Sequence, residues 1–409
     1  MEKLTLDLTT IANGGAAVAR AKRGRTLFVP YGIPGEKVRA EIHTEKGKIA
    51  HAHLVEVLRP SPDRIEPRCP HFTVCGGCHF QHMSYQRQLQ VKQTIVQDQM
   101  ERIGHFKETP VAATLANPRP WHYNVQMHLS PVKEGGLGFW SPVERRVIPI
   151  ETCPITRPEL LELRQDVDLD LPGLRKLSLW VGDDEALLAA VEVDGVEPPR
   201  LEANFPVSMV IVLPDKTAVN LFGDNFTIQS VQGRDFRVSA GCDFAASPEG
   251  MELLVNTVLQ QAQLLGRETA LELYSGVGAL TAFLAEQAAE VVAVEMNPDA
   301  VADTAVNLPQ ADNVSLYEGR VEEALPRLDI KPDVLVMHPP RQGLSREAVK
   351  LVVDLRPSRI VYASSDIATF ARDGRQLTES GYKLLQIQPV DLRPQTYYVD
   401  VVGVWEIGD

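Results

Sequence analysis

The chain has few cysteines for its length, five among 409 residues. So sparse a set argues against a disulfide framework of the kind that stabilises small secreted domains. No apolar run is long enough to span a bilayer, and the first residues, MEKLTLDL, lack a basic start followed by an apolar signal core. Internal repeats and low-complexity tracts are missing as well. We therefore expect a cytoplasmic protein that does not bind a membrane.

An excess of basic residues is also missing: 41 Lys or Arg stand against 54 Asp or Glu, so the formal net charge is -13. Phosphate contacts need Lys and Arg, so a strongly acidic chain is an unusual nucleic-acid binder. Residues 1–59 are the exception, with ten Lys or Arg against six Asp or Glu, a local excess of +4. Arg20, Lys22, Arg23 and Arg25 lie close together there. They form either a phosphate-binding loop or the solvated rim of a hairpin.

The length and the 44% hydrophobic content predict two or three domains with real cores. Residues 1–59 read as short strands punctuated by glycine turns, which suits a five-stranded OB-like barrel. Residues 60–225 hold a polar helix, from about 85 to 103, followed by strands, and we expect this helix to pack on the C-terminal domain. Residues 226–409 alternate strand and helix, which predicts a Rossmann-like parallel sheet. The expected fold class combines α/β and β domains.

Four of the five cysteines form one candidate metal site. Cys69, Cys75 and Cys78 lie within ten residues, and Cys153 follows in Glu-Thr-Cys-Pro. Thiolates suit tetrahedral zinc or an iron–sulfur cluster. Zinc ribbons usually pair two short Cys-x-x-Cys hooks, and the second hook is missing here, which favours a [4Fe–4S] cluster. Zinc, ordinary thiols and a disulfide are the alternatives.

A glycine turn marks a candidate cofactor site. LELYSGVGALTAFLAE, residues 271–286, reads as a strand, a turn with Gly276 and Gly278, and a helix. Glu295 ends the next apolar strand, where a carboxylate can accept two hydrogen bonds from a ribose. The third glycine of the dinucleotide fingerprint is absent, so S-adenosylmethionine fits better than a dinucleotide. A tight turn beside a surface Glu is the alternative.

Together these segments resemble the TRAM-domain, iron–sulfur class of RNA uracil-5-methyltransferases along almost the whole chain. The matching segments are GGAAVAR, FVPYGIPGEKV, CGGCHFQHMSYQRQLQVKQ, LELYSGVG, VVAVEMN, PPRQGL, ATFARD and PVDLRPQTYYVDVV. The resemblance implies a TRAM barrel, a central iron–sulfur domain and a C-terminal methyltransferase domain. It also implies that Cys69, Cys75, Cys78 and Cys153 hold the cluster. The cofactor adenosylmethionine is expected at Tyr274, Gly276, Gly278, Glu295, Arg320 and His338.

In that family a cysteine thiolate adds to C6 of uridine, C5 takes the methyl group, and a base removes the C5 proton. The catalytic positions of the family correspond here to Ser365, Asp400, His338 and Arg341. Ser365 stands in place of the cysteine nucleophile, and a hydroxyl is far less acidic than a thiol. Asp366 is the local candidate for a base that could activate it. Asp400 replaces a glutamate base with a side chain one methylene shorter.

Three further departures accompany the change of nucleophile. His338 stands where the family has the aspartate of Asp-Pro-Pro-Arg, and Arg320 replaces an acidic or amide residue. The segment 244–247, FAAS, replaces Phe-Gln-x-Asn. Cys242 is the leftover thiol; it is either a substitute nucleophile or a small buried side chain.

These observations leave three hypotheses for the function. The first is an adenosylmethionine-dependent methyltransferase acting on a pyrimidine of rRNA or tRNA. The second is a non-catalytic RNA-binding paralogue, and the third is an RNA-modifying enzyme with altered chemistry. We expect no DNA partner and a monomer.

Overall fold

The computed structural model describes residues 2–21, 24–133, 135–166, 171, 173–195, 206–215 and 218–408. Three β-sheets and one hairpin carry this part of the chain. None of its helices combines the length and the hydropathy that crossing a bilayer requires. The predicted mixture of β and α/β units is confirmed.

The N-terminal sheet has six strands rather than the five predicted. The additional strand is short: its two residues, Thr10 and Ile11, follow the first strand and pair with the third. Its strands are β1 (Lys3–Asp7), β2 (Thr10–Ile11), β3 (Ala17–Ala21), β4 (Arg25–Val29), β5 (Lys37–Lys46) and β6 (Ile49–Arg59). Their order is β1-β5-β6-β4-β3-β2, with β4 and β6 parallel. Alternate side chains such as Leu27, Val38 and Ala50 are fully buried and form the core of this unit.

The predicted basic loop is only partly a free cationic surface. The Arg25 guanidinium donates hydrogen bonds to the carboxylates of Glu2 and Glu45 at 3.0 and 3.3 Å, so its charge is largely neutralised. Lys22 and Arg23 lie outside the described residues. Arg20 is exposed on β3.

The middle of the chain contributes a seven-stranded sheet and two helices. The elements are α1 (Tyr85–Arg102), β7 (Gln126–Pro131), β8 (Leu137–Ser141), β9 (Arg146–Pro149), α2 (Pro158–Asp166), β10 (Leu174–Val181), β11 (Leu187–Val193), β12 (Ser208–Val212) and β13 (Ala218–Phe222). The Ser84 hydroxyl accepts a hydrogen bond from the Arg87 amide and so caps the start of α1. Val96 and Met100 on α1 are buried in the core of the C-terminal sheet. Helix α1 thus packs against the C-terminal sheet.

The C-terminal part begins with a hairpin and a helix and then forms a doubly wound sheet. Its elements are β14 (Phe226–Val231), β15 (Arg234–Ser239), α3 (Pro248–Ala262), β16 (Thr269–Leu273), α4 (Ala279–Ala285), β17 (Glu290–Glu295), α5 (Pro298–Asn307), β18 (Val314–Glu318), α6 (Val321–Ala324), β19 (Val334–Met337), α7 (Arg346–Leu355), β20 (Arg359–Ser364), α8 (Ile367–Glu379), β21 (Tyr382–Val390) and β22 (Asp400–Ile407). The strand order is β18-β17-β16-β19-β20-β22-β21, and β22 runs antiparallel to both of its neighbours. The central strands are buried on both faces, which explains their continuous apolar sequences.

Helix α1 holds the segment that joins β21 to β22. The Lys92 ammonium, fully buried, donates to the carboxylate of Asp391 and to the carbonyl oxygen of Arg393. One turn earlier, the Gln88 amide donates to the side-chain oxygen of Gln395 and accepts from its backbone N–H, both at 3.0 Å. These contacts determine where residues 391–399 lie, and this segment lines the site described next.

Candidate functional site

A cavity of about 930 Å³ opens at the carboxyl ends of strands β16, β17 and β19. Ligands of open parallel sheets bind at this edge because the loops that follow the strands converge there. Eight of the residues predicted from the sequence line it: Tyr274, Gly276, Glu295, Arg320, His338, Arg341, Ser365 and Asp400. The structure therefore brings the candidate cofactor residues and the candidate catalytic residues into one cavity.

The glycine turn shapes one wall of this cavity. Tyr274 and Gly276 have φ angles of 62° and 56°, so the backbone leaves β16 in a left-handed turn. Gly278 does not line the cavity; it caps the start of α4, and a Cβ atom there would lie 2.8 Å from the Thr304 side chain. Gly278 therefore lets α4 pack closely against α5, and Gly276 lets the backbone face the cavity.

Glu295 is held in place by backbone amides. Its carboxylate accepts hydrogen bonds from the N–H groups of Gly276 at 2.9 Å and of Met296 and Asn297 at 2.7 Å each. A carboxylate has about four acceptor positions, so about one is left for a bound hydroxyl. This is fewer than the two ribose hydrogen bonds expected from the sequence. A second ribose hydroxyl could bind only if one of the three backbone amides lost its hydrogen bond to Glu295.

Glu272 is a cavity-lining residue that the sequence reasoning missed. It lies inside strand β16 and accepts a hydrogen bond from the Thr281 hydroxyl at 2.6 Å. Burial and the nearby Glu295 charge together raise its pKa to about 8, although the hydrogen bond from Thr281 lowers it. A charged residue within an otherwise apolar strand was the available signal. At neutral pH this carboxyl carries a proton.

At the other end of the cavity Asp400 pairs with the half-buried Arg393. The Arg393 guanidinium donates to the Asp400 carboxylate at 3.1 Å. His338 is half-buried nearby, and desolvation lowers the pKa of its ring, with Asp400 opposing this effect and Arg393 adding to it. His338 is therefore neutral at neutral pH and has a free lone pair that can accept a proton. Arg393 was not singled out from the sequence.

Ser365 lines the same cavity, but Asp366 is not placed to activate it. The Asp366 carboxylate accepts hydrogen bonds from the Ala368 and Thr369 amides and so caps helix α8. Its second oxygen lies 3.7 Å from the Arg341 guanidinium. Within the part of the chain that the structure describes, the Ser365 hydroxyl has no hydrogen-bond partner.

Cys242 also faces this cavity, on the side of Glu295 and Asn297. Its sulfur lies 3.6 Å from a carboxylate oxygen of Asp303. Burial raises the pKa of the Cys242 thiol well above its usual range, and the carboxylate of Asp303 raises it further. The thiol therefore stays protonated, which makes it a poor substitute for the missing nucleophile.

Three guanidinium groups lie toward the open part of the lining. Arg341 has its guanidinium 5.0 Å from the centre of the Tyr398 ring, and the Arg393 guanidinium lies 4.7 Å from the same ring. Arg320 is exposed at the start of α6 and lies 3.8 Å from Glu322. The cavity thus combines carboxylates at its inner wall with guanidinium groups toward solvent.

A second cavity, of about 380 Å³, is lined by the four clustered cysteines. All four thiols are free and half-buried. Burial raises the pKa values of Cys69, Cys75 and Cys78, and each is raised further by neighbouring cysteines. Among the described residues, no group of three or more His, Cys, Asp or Glu side chains is arranged to hold a single metal ion. The four cysteines therefore line one shared cavity.

The two cavities lie next to each other. Gln126, Ala246 and Arg393 line both of them. Tyr398, whose ring contacts Arg393, lines the cysteine cavity. A group bound between the cysteines would therefore lie directly behind the Arg393–Asp400 pair.

Comparisons with known proteins agree with this architecture. Residues 2–55 match the family model of the TRAM domain, and residues 236–321 match that of ribosomal RNA adenine dimethylase. The fold is similar to the crystal structure of Pyrococcus abyssi tRNA (uracil-54, C5)-methyltransferase in complex with S-adenosyl-L-homocysteine. The TM-score is 0.75 at 23% identity, over 98% of this chain and 100% of that one.

Full-length relatives are also similar in sequence. An uncharacterized RNA methyltransferase of Halalkalibacterium halodurans is 33% identical over 98% of this chain and 96% of its own. One of Bacillus cereus is 32% identical over 97% of this chain and 94% of its own. The chain carries a TRAM domain followed by a methyltransferase domain, and it belongs to this family of RNA methyltransferases.

Proposed function

We propose that this protein transfers the methyl group of S-adenosylmethionine to a nucleobase of tRNA or rRNA. The observation that carries the proposal is the single cavity at the edge of the parallel sheet. It joins a nucleoside-binding wall, with Gly276 and Glu295, to a polar end with His338, Ser365 and Asp400. Bound there, the cofactor would supply a methyl group on a sulfonium, a good leaving group. The proposed cofactor residues are Tyr274, Gly276, Glu295, Arg320 and His338, while Gly278 only shapes the turn that precedes α4.

The target base must reach this end of the cavity from an unpaired or flipped-out position. When the base attacks the methyl group, a bond to the methyl carbon forms, the sulfur–methyl bond breaks, and the base loses a proton. His338 is the neutral group in this region and is the best-placed proton acceptor. Asp400 is engaged by Arg393, so we assign it to positioning that arginine. Arg341, exposed at the cavity, fits a phosphate of the RNA.

We further propose that Ser365 does not form a covalent adduct with the base, because no group activates its hydroxyl. Uridine C5 is the target that the resemblance implies, but methylation there would need another nucleophile at C6, because C5 attacks a methyl group only from such an adduct. A base with its own nucleophilic nitrogen is the alternative, because it needs no adduct. Residues 236–321 match the family model of ribosomal RNA adenine dimethylase, and this similarity is the reason why we consider a base nitrogen as a second possible target.

Nucleoside mass spectrometry tests the proposal directly. The purified protein, total RNA and isotopically labelled adenosylmethionine should yield one labelled methylated nucleoside, whose identity distinguishes a uridine from a purine product. Glu295→Ala should abolish both labelling and cofactor binding measured by calorimetry. Glu290→Ala, at the opposite and exposed end of the same strand, is the matched control and should retain both.

A non-catalytic RNA-binding role is the second candidate, supported by the unactivated hydroxyl of Ser365. If the wild-type protein binds adenosylmethionine but labels no RNA, this role replaces the enzymatic one. RNA containing 5-fluorouridine adds a test of the adduct. We expect no stable covalent complex with the wild type, whereas Ser365→Cys should form one if the rest of the site is competent. A wild-type complex would contradict our assignment of Ser365.

The four cysteines are proposed to hold a [4Fe–4S] cluster that supports the fold beside the active site. Their shared cavity, the four thiol donors and the lack of a second Cys-x-x-Cys hook support a cluster over one zinc ion. The role would be structural, since methyl transfer needs no electron. Anaerobically purified protein should contain iron and sulfide, and Cys153→Ser should lose them while Cys242→Ser should not. Zinc without iron would contradict the assignment.

Three domains, 1–59, 60–225 and 226–409, remain our proposed division of the chain. The free thiols and the RNA substrate fit the cytoplasm, where thiols stay reduced. We also propose that the protein acts as a monomer.

A further inference from the structure

The outer face of the N-terminal sheet carries a continuous row of ring side chains. Phe28 on β4 stacks on His51 of β6, with ring centroids 5.3 Å apart and planes 22° apart. His43 on β5 stacks on His53 of β6 at 4.2 Å and 23°. His43 and His51 complete the row, with centroids 6.4 Å apart. We call these four residues the ring row.

Strand pairing brings these residues together from three strands. Phe28 and His51 are direct partners in the parallel pairing of β4 and β6. His53 lies two residues after His51 and so points to the same face. The pairing of β5 with β6 shifts between Ile42 and Thr44, which leaves His43 as the extra residue of a bulge, where its ring meets those of β6.

The ring row is accessible rather than part of a core. The three histidines are exposed and Phe28 is half-buried. Two apolar side chains extend the same face of β6, Ile49 and Val55, with exposed fractions of 48% and 49%. Within the described residues, the rings of His51 and His53 have no hydrogen-bond partner. No structural task of the barrel accounts for them.

Unpaired cations lie beside the ring row. Across the four neighbouring strands β3, β4, β6 and β5, the residues Arg20, Thr26, Ile49 and Lys46 are successive pairing partners. They therefore form the next row along the same face of the sheet. Neither Arg20 nor Lys46 has an ion-pair partner among the described residues.

The other charged groups near the row are already paired with each other, apart from Lys48 in the β5–β6 turn. The pairs are Lys3 with Glu41, Arg25 with Glu2 and Glu45, and Arg39 with Glu56. The acidic side chains around the ring row are thus largely neutralised.

We propose that the ring row is a stacking platform for unpaired bases of the RNA, with Arg20 and Lys46 contacting its phosphates. Every base has a flat face that stacks on aromatic and imidazole rings, whereas phosphates seek cations, and here the two kinds of group lie in adjacent rows. The inference rests on the proposed RNA substrate and specifies which surface of the barrel binds it.

His43 makes this platform sensitive to pH. Burial lowers the pKa of His43, and the neighbouring rings of His53 and His51 lower it further because they repel its charge. A bound polyanion offsets that repulsion, so acidification should add positive charge to the row when RNA is present. RNA binding should therefore strengthen as the pH falls below neutrality.

Fluorescence anisotropy with a labelled oligouridine of about 12 nucleotides tests the proposal on the full-length protein, since such binding sites span roughly 4–16 nucleotides. His43→Ala/His51→Ala/His53→Ala should weaken binding at least about tenfold, because stacking contributes about 1–3 kcal/mol per base. His43→Tyr should retain the affinity at pH 8 and lose most of its dependence on pH, because it removes the titrating ring and keeps a stacking surface. His105→Ala, an exposed histidine after α1, is the control and should change neither.

Three outcomes would overturn the proposal. If wild type binds RNA and the triple alanine variant binds equally well, the RNA substrate stands but this surface is wrong. If the His105 control weakens binding as much, the effect is not specific to the row. If wild type binds no RNA at any pH, the proposed function fails together with the inference. Thermal unfolding of each variant confirms that the exposed substitutions leave the fold intact.

Discussion

The buried pair of Lys92 and Asp391 offers a quantitative test of how α1 supports the active-site segment. Both side chains are fully buried, and the Lys92 ammonium also donates to the Arg393 carbonyl oxygen at 3.0 Å. Lys92→Met keeps most of the side-chain length and removes the charge. It leaves a buried carboxylate without a cation and a carbonyl oxygen without a donor. Breaking a buried pair in this way costs about 3–5 kcal/mol.

A double-mutant cycle isolates the pair from the packing of the two side chains. Asp391→Asn removes the other charge while keeping the shape. The double variant Lys92→Met/Asp391→Asn should be more stable than Lys92→Met alone by about 2 kcal/mol, because no charge is left buried and unpaired. Denaturant unfolding followed by circular dichroism measures all four proteins.

The same variants report on the site. Because Lys92 holds the segment that carries Arg393, Lys92→Met should also weaken adenosylmethionine-dependent labelling of RNA at temperatures where it is folded. If Lys92→Met unfolds within about 0.5 kcal/mol of wild type, the range of an ordinary surface substitution, the reasoning is wrong. It is equally wrong if the two single effects simply add.

Three further predictions concern stability. Glu272 has a pKa of about 8 in the folded protein against 4.5 for the ordinary side chain, so between these pH values the folded state holds one more proton than the unfolded state. The stability of the wild type therefore falls as the pH rises from 5 to 8. Over this range Glu272→Gln should gain about 1.4 kcal/mol of unfolding free energy per pH unit relative to wild type. Burial opposes the ionisation of Glu36, but hydrogen bonds from Arg64 and two backbone amides outweigh burial and lower the pKa of Glu36. The ionised carboxylate therefore stabilises the fold above the ordinary pKa of Glu, and this stabilisation is lost in acid. Arg64→Met should destabilise the fold by about 2–3 kcal/mol at pH 7 in denaturant unfolding and by much less near pH 3. Gly403→Ala would place a Cβ 2.5 Å from the Phe370 ring, and the overpacking should lower stability by about 1–3 kcal/mol in the same assay.

Local features of this chain are readable from the sequence because they depend on neighbouring residues. The first helix begins behind Ser84, a capping residue, and its polar and apolar positions follow a helical period. The turn after β16 needs Gly276 because its φ is positive. Apolar runs of five or six residues ended by turns correctly indicated the parallel strands.

The state of the candidate catalytic groups was not readable in this way. The sequence offered Asp366 as a base for Ser365, yet the start of α8 turns that carboxylate toward backbone amides. Arg393 became important only when the chain folded back and placed it against Asp400. Such contacts depend on how loops from different strands converge, and a single sequence without partners does not specify that geometry.

The sequence by itself determined the order of elements, the glycine turn and the family to which the chain belongs. The tertiary structure decided which side chains are neutral, paired or free. Strand register placed Phe28 beside His51, and a bulge added His43, although these residues are spread over three strands. The physical reason is that local conformation follows from neighbours along the chain, whereas pKa values and surfaces follow from neighbours in space.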